Sequence, residues 1–235
     1  MKTSAFVFCT LLISGITTLN QSNKAIQFDL SKILNARPVT VLANNRLITW
    51  TKGIDGNGLG DGYLTQSAAL FNGDKAPHAL PDNPLIAANA SHPEIKLHYS
   101  NNDSLYNQTC NISGEGDVEF TVPKLKYNAV YLALTSSEGP SNLKVRFGYN
   151  DDSFTSEDLV LPDYYNDIPN IPNQYYLVHD LSKWGNKNNM TEKDHHNIDL
   201  VKIHPDPDKT LKSIKIQKDK PGYLVIWAAA GQKAN

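Results

Sequence analysis

The amino-acid sequence predicts an all-β protein, an antiparallel β-sandwich of the jelly-roll type. Short apolar runs recur along the chain, each closed by Gly, Pro, Asn or Asp. Some alternate with period two, as Leu143, Val145 and Phe147 do with Lys144 and Arg146, the pattern of a strand with one wet face. No segment keeps a helical period over ten residues.

The middle of the chain, Tyr127 to Tyr165, is the strongest β signal. Val130 to Leu134 is apolar at every position, as expected of a strand buried on both faces. Ser136-Ser137-Glu138-Gly139-Pro140 breaks it, the alternating strand follows, Asn150-Asp151-Asp152 turns the chain, and Leu159 to Leu161 closes a third strand. Tight polar turns between the three predict an antiparallel meander.

The flanking segments follow in order. Lys2, the apolar run Ala5 to Ile16 and the small polar residues after it have the pattern of a secretory signal, with cleavage expected between Gly15 and Ser22. Residues 23–235 are then expected to form one exported, soluble sandwich domain, since no Pro/Ser/Gly-rich linker divides them. The twelve-residue apolar run is too short to span a bilayer, and no later one is longer. Ile26 to Leu30 reads as an edge strand, and Val39 to Leu42 and Leu47 to Trp50 as two strands about an Asn44-Asn45 turn. Five glycines fall between Gly53 and Gly62, a backbone free to take conformations closed to other residues. Tyr63 starts an extended segment reaching Phe71; Asn72 to Pro93 is loop; Glu94 to Tyr99 and Val118 to Val122 alternate. Pro162 to Pro172 is too irregular for a strand, Tyr175 to Val178 resumes the sheet, and Asp180 to His196 reads as a long polar loop around Trp184. Ile198 to Ile203, Leu211 to Ile216 and Tyr223 to Ala230 complete twelve to fourteen strands.

Charge and cysteine narrow the function. Without residues 1–22 the chain carries 21 basic and 24 acidic residues, with only Arg37, Arg46 and Arg146 as arginines. That balance excludes a nucleic-acid binder. Cys9 lies in the signal segment and leaves Cys110 alone, so no intramolecular disulfide forms and a buried, inert thiol is expected. Asn-x-Ser/Thr triplets at Asn89, Asn102, Asn107, Asn111 and Asn189 mark surface loops able to carry glycans in a eukaryotic host.

Asp29-Leu30-Ser31 with Asn35, Ile54-Asp55-Gly56 through Gly62-Tyr63, the turn Tyr149 to Ser153, Asp206 to Ile214 and the closing Tyr223 to Ala228 resemble galactose-binding-domain-like β-sandwich modules, which accompany secreted glycoside hydrolases. The turn departs from their pattern, with Asp152 where such modules carry glycine. The resemblance implies a jelly roll, often a structural calcium, and carbohydrate binding rather than catalysis.

Three groups of side chains carry possible chemistry. Asp55, Asn57 and Asp61 offer hard oxygen ligands for Ca²⁺ within the glycine-rich loop, although an Asp-Gly-rich turn whose aspartates bond their own backbone reads equally from these residues. Trp50, Tyr164, Tyr165, Tyr175, Tyr176 and Trp184 offer flat faces suited to a sugar ring, with Asp163-Tyr164-Tyr165-Asn166-Asp167 the favoured binding loop, although core or corner packing reads from each of these aromatics as well; Trp227, inside an apolar strand, is expected in the core. His195-His196 suggests a metal pair, but neighbours on a strand point to opposite faces, so a solvated segment is the expectation. His98-Tyr99 and His179-Asp180 are the candidates for a lyase acid/base pair. The expected function is carbohydrate binding without catalysis. A polysaccharide lyase or glycoside hydrolase on the same fold, or a surface adhesion protein, are the alternatives.

Overall fold

The computed structural model describes residues 24–55, 60–168, 171–185, 188–219 and 221–234; the expected signal segment and Asn57 lie outside them. Among these residues the chain forms β1 (Ile26–Gln27), β2 (Val39–Ala43), β3 (Arg46–Ile48), β4 (Tyr63–Leu64), a short helix α1 (Gln66–Phe71), β5 (Leu85–Ile86), β6 (Ile95–Lys96) and β7 (Cys110–Ser113). The long strands follow: β8 (Gly116–Leu125), β9 (Tyr127–Ser137), β10 (Ser141–Tyr149), β11 (Phe154–Leu161), β12 (Gln174–Gly185), β13 (Asn189–Ile203), β14 (Leu211–Lys218) and β15 (Tyr223–Lys233). The all-β sandwich expected from the sequence is the fold observed.

Two antiparallel sheets make the sandwich. In the larger, β15 pairs with β1 and β7 on one side and β9 on the other, and β13 and β12 extend it. The smaller runs β11-β10-β14-β8. Val130, Leu132 and Leu134 of β9 meet Leu143, Val145 and Phe147 of β10 and Ile214 and Ile216 of β14 in the core between them. Each such side chain contributes about 1.5–3 kcal/mol by leaving water.

The large sheet is also covered on its other face. There Tyr131, Ala133, Val225 and Trp227 pack against Val39, Ile54, Tyr63, Leu80, Ile95 and Leu97 from the first hundred residues. This third layer is why Val130 to Leu134 is apolar throughout: alternate side chains serve two cores. Trp227 lies in the second core, as expected.

Four expectations need correction. β9, β10 and β11 are not a meander, because β9 belongs to the large sheet and only β10 and β11 form a hairpin. A strand apolar on both faces suits the middle layer, whereas β10, wet on one face, suits the outer sheet, so the chain crosses between sheets at Glu138-Gly139. Residues after Leu64 turn into α1 rather than staying extended, burying Ala68 and Ala69 and leaving Leu70 and Phe71 outside. The segment Asp180 to His196 is not a loop but most of the β12–β13 hairpin, which strays from regular register at several points. Its polar composition reflects bulges at which Asp180, Asp194 and His195 take positive φ, bending the ribbon and wetting much of it. Glu94 to Tyr99 contributes only the two-residue β6.

Turns expected from the sequence are present. Asn44 and Asn45 both have positive φ (50° and 58°), the requirement of a two-residue type I′ connection between β2 and β3. Asp152, where the resembling modules carry glycine, has φ of 63°, so the departure keeps the left-handed conformation with a residue that tolerates it. Cys110 is a buried free thiol, and burial pushes its pKa up to about 11. Asn111 is buried with its amide donating to the Gly53 carbonyl at 2.7 Å, which leaves it no room for a glycan.

Candidate functional site

The β12–β13 hairpin projects Lys183, Glu192 and His196 toward a strap formed by Asp163 to Ile168 and toward the two ends of the glycine-rich segment. The strap is fixed by backbone bonds: the Tyr164 amide donates to the Ser136 carbonyl at 2.8 Å and the Asn197 amide to the Tyr164 carbonyl at 3.0 Å. Asp163 caps it, accepting from the Gly139 amide at 2.6 Å and the Tyr165 amide at 3.1 Å. Asp163 is therefore a clamp between the strap and the sheet-crossing turn.

The glycine-rich segment is closed on itself. The Ile54 amide donates to the Asp61 carbonyl at 2.7 Å, and Asp55 Oδ1 accepts from the Asp61 amide at 3.1 Å. Gly60 has φ of 61°, and a Cβ there would lie 1.9 Å from the Asp55 carbonyl oxygen. The Gly62 and Trp184 backbones exchange two hydrogen bonds, at 2.8 and 3.0 Å, which docks the segment onto β12. Asp55 thus bonds the backbone of its own segment, one of the two roles open to it from the sequence.

Lys183 is the hub. Its Nζ lies 3.1 Å from Glu192 Oε1, 3.4 Å from Asp61 Oδ2 and 3.7 Å from Asp55 Oδ2, and it donates to the Tyr164 hydroxyl at 3.1 Å. Tyr164 in turn donates to Asp55 Oδ2 at 2.8 Å, and Tyr165 donates to Glu192 Oε2. The His196 ring is buried beside both tyrosines, with centroids 4.8 and 4.6 Å away, and its Nε2 sits 3.3 Å from Glu192 Oε2. Burial alone would lower the Lys183 pKa, but the Glu192 hydrogen bond and the charge of Asp55 outweigh it and hold the ammonium charged far above neutrality. Burial works to raise Glu192, yet the Tyr165 and Lys183 hydrogen bonds bring it below its ordinary value. Burial, then the Asp55 charge, raises Asp61, and burial lowers His196.

On the far side of Tyr165 the bulged hairpin opens a cavity of about 220 Å³, lined by Tyr165, Asp167, Tyr176, His179, Asp180 and His195. The Tyr176 hydroxyl accepts from the Ile168 amide at 2.7 Å and donates to Asp167 Oδ1 at 3.2 Å, and its ring lies 5.6 Å from that of His179. Two of the positive-φ residues, Asp180 and His195, line the cavity. Backbone held in such conformations concentrates where a side chain must be aimed at something. His195 and His196 point apart, but only His195 is solvated as expected, exposed at the cavity; His196 is buried at the hub against the expectation of a solvated segment.

No protein-family model matches the chain, and no curated protein matches it.

The expected site residues divide between these places. Tyr164 and Tyr165 join Asp55 and Asp61 at the hub; only Tyr165, 44 % exposed, presents a ring to solvent. Trp50 and Trp184, 6 % and 4 % exposed, pack around Leu64, Ala68 and Ala69 beneath α1. Asn57 lies outside the described residues. Lys183 was not anticipated, and Glu192 and His196 stood out from the sequence only as neighbours in a possible zinc site. A signal existed in Glu192, Asp194 and His196, spaced two apart as on one face of a strand, but the segment reads as loop when its polarity is weighed before its spacing.

Tyr164, Tyr165 and Lys183 do not act as general bases near neutrality. A general base needs a pKa near the working pH. Burial, aided by hydrogen bonds to Asp55 and Glu192 respectively, raises the Tyr164 and Tyr165 hydroxyls, and Lys183 stays protonated. These groups are fixed donors. Among the described residues no three His, Cys, Asp or Glu side chains are grouped to hold a metal ion, and the ammonium of Lys183 already faces Asp55 and Asp61. These donors fit Ca²⁺ poorly.

Proposed function

We propose that this is an exported carbohydrate-binding β-sandwich protein that holds a sugar ring in the cavity between Tyr165 and Tyr176. The observation that carries the reading is the open face of Tyr165, backed by the Glu192–Lys183 hub and bordered by carboxyl, imidazole and amide groups. An apolar aromatic face takes the C–H side of a pyranose, and Asp167, Asp180, His179 and Asn197, which line the same cavity, supply hydrogen-bonding groups for its hydroxyls. The size of the cavity suits one ring rather than a chain. The resemblance to galactose-binding-domain-like modules points the same way.

A glycan-array screen followed by calorimetry on the best glycan tests this, with the product assayed for cleavage. Wild type is expected to bind without turnover. Tyr165→Ala, folded by circular dichroism, is expected to bind at least about tenfold more weakly, a loss of about 1.4 kcal/mol. Undiminished binding by that variant sinks the proposed location, cleavage moves the protein to the enzyme alternative, and silence on every glycan removes the reading. Parallel runs with Ca²⁺ and EDTA test the calcium expectation at Asp55 and Asp61.

A further inference from the structure

Arg37 lies in the strand-like segment before β2, and its side chain is completely buried. Nη1 is satisfied: it donates to Asn101 Oδ1 and, at 2.9 Å, to the Tyr106 carbonyl. Gln108 Nε2 donates to the same Asn101 oxygen at 3.2 Å, and Asn101 Nδ2 to the same Tyr106 carbonyl at 3.2 Å. The other edge of the guanidinium is different. Nε and Nη2 are both buried and neither has a hydrogen-bond partner among the described residues.

Two orphaned donors on one charged group require an explanation. Arginine does not escape burial by losing its proton, so the positive charge is permanent. No carboxylate forms an ion pair with Arg37 among the described residues; Asp103 acts on it only as a more distant charge. Water would satisfy the two N–H groups but not the charge, and an uncompensated ion in a protein interior is costly. The Nε–Nη2 edge is also the side of the fork that presents two parallel donors to one acceptor group.

We propose that the Nε–Nη2 edge of Arg37 is a buried binding site for a small monovalent anion of chloride size, which neutralises the guanidinium and locks the 101–108 loop onto β2. The loop is held to Arg37 through Asn101 and Tyr106, so the same guanidinium grips the anion on one edge and the loop on the other. Both free nitrogens are sealed from solvent, so the anion enters only when this loop lifts. Leu105 and Tyr106, 84 % and 63 % exposed at the loop tip, are the side chains whose position the anion controls.

The test is thermal unfolding at constant ionic strength and pH, with sodium gluconate replaced stepwise by sodium chloride. For a site with a dissociation constant near 10 mM, the wild-type midpoint is expected to rise by roughly 3–8 °C between 1 and 300 mM chloride. Arg37→Met is expected to lose that rise, and hydrogen exchange in peptides spanning 101–108 to slow with chloride in wild type only. Because Arg37→Met risks failing to fold, crystals of the wild type in bromide supply a second readout: an anomalous peak beside Nε and Nη2. Equal midpoints in gluconate and chloride overturn the proposal, as does the absence of a bromide peak. A bromide peak without a chloride-dependent midpoint marks an adventitious ion only and also overturns it.

Discussion

Asp199 gives the protein a measurable pH dependence. It lies on β13, opposite Leu134 of β9 and Tyr176 of β12, is buried, and has an Oδ1 without a hydrogen-bond partner among the described residues. Burial raises its pKa from 3.8 to about 7. In the unfolded chain a carboxyl group titrates near about 3.9. The folded protein therefore holds this proton more tightly than the unfolded chain does. The stabilisation that follows is complete below the unfolded pKa and is lost as pH rises through the folded one. With those two values the loss between pH 5 and pH 8 is roughly 2–3 kcal/mol. Asp199→Asn removes the titration while keeping the shape. His98 and His196, whose pKa values burial lowers, act in the opposite sense, but their contribution is common to both proteins and cancels in the difference. Urea unfolding of both proteins at pH 5, 6, 7 and 8 is the assay. The stability of Asp199→Asn relative to wild type should climb by about 2–3 kcal/mol across that range. A difference constant to within about 0.5 kcal/mol, the usual scatter of such comparisons, refutes the assignment of a buried, protonated Asp199.

Three further outcomes follow from the packing. Lys183→Met leaves Asp55, Asp61 and Glu192 facing one another without their cation. It should cost about 3–5 kcal/mol at pH 7 and less near pH 4, read from urea midpoints; equal losses at both values would argue against a charge-based hub. At the β10–β11 turn, Asp152→Gly should leave stability within about 0.5 kcal/mol, whereas Asp152→Val should cost about 1–2 kcal/mol because a β-branched side chain resists the left-handed conformation. Cys110, buried and with its pKa raised, should escape alkylation by iodoacetamide in native protein at pH 8 and react fully in urea, as peptide mass mapping would show.

Local rules made the class of fold, the doubly buried Val130–Leu134, the Asn44-Asn45 turn, the core position of Trp227 and the inert thiol legible in the linear chain. Periodicity, turn chemistry and cysteine count operate over a few residues, and the sequence displays them directly. Partner choice is different. Whether β9 continues into a meander or hands the chain to a second sheet depends on which surface covers its other face, and that surface comes from residues between Val39 and Leu97. The hub shows the same division. Asp55 and Tyr164 are 109 residues apart and become neighbours only because the strap and the closed glycine-rich segment both dock on the β12–β13 hairpin. Lys183 was hidden, and Glu192 was read as part of a polar loop, because bulges break the alternation by which a strand is recognised; the same bulges open the cavity beside Tyr165. Trp50 and Trp184 show the converse: a tryptophan near a strand end is open or buried according to what packs over it, and here that is α1. Sequence alone determined the elements and their chemistry. Tertiary structure decided which charges share a site, because burial and long-range proximity are properties of the packed chain.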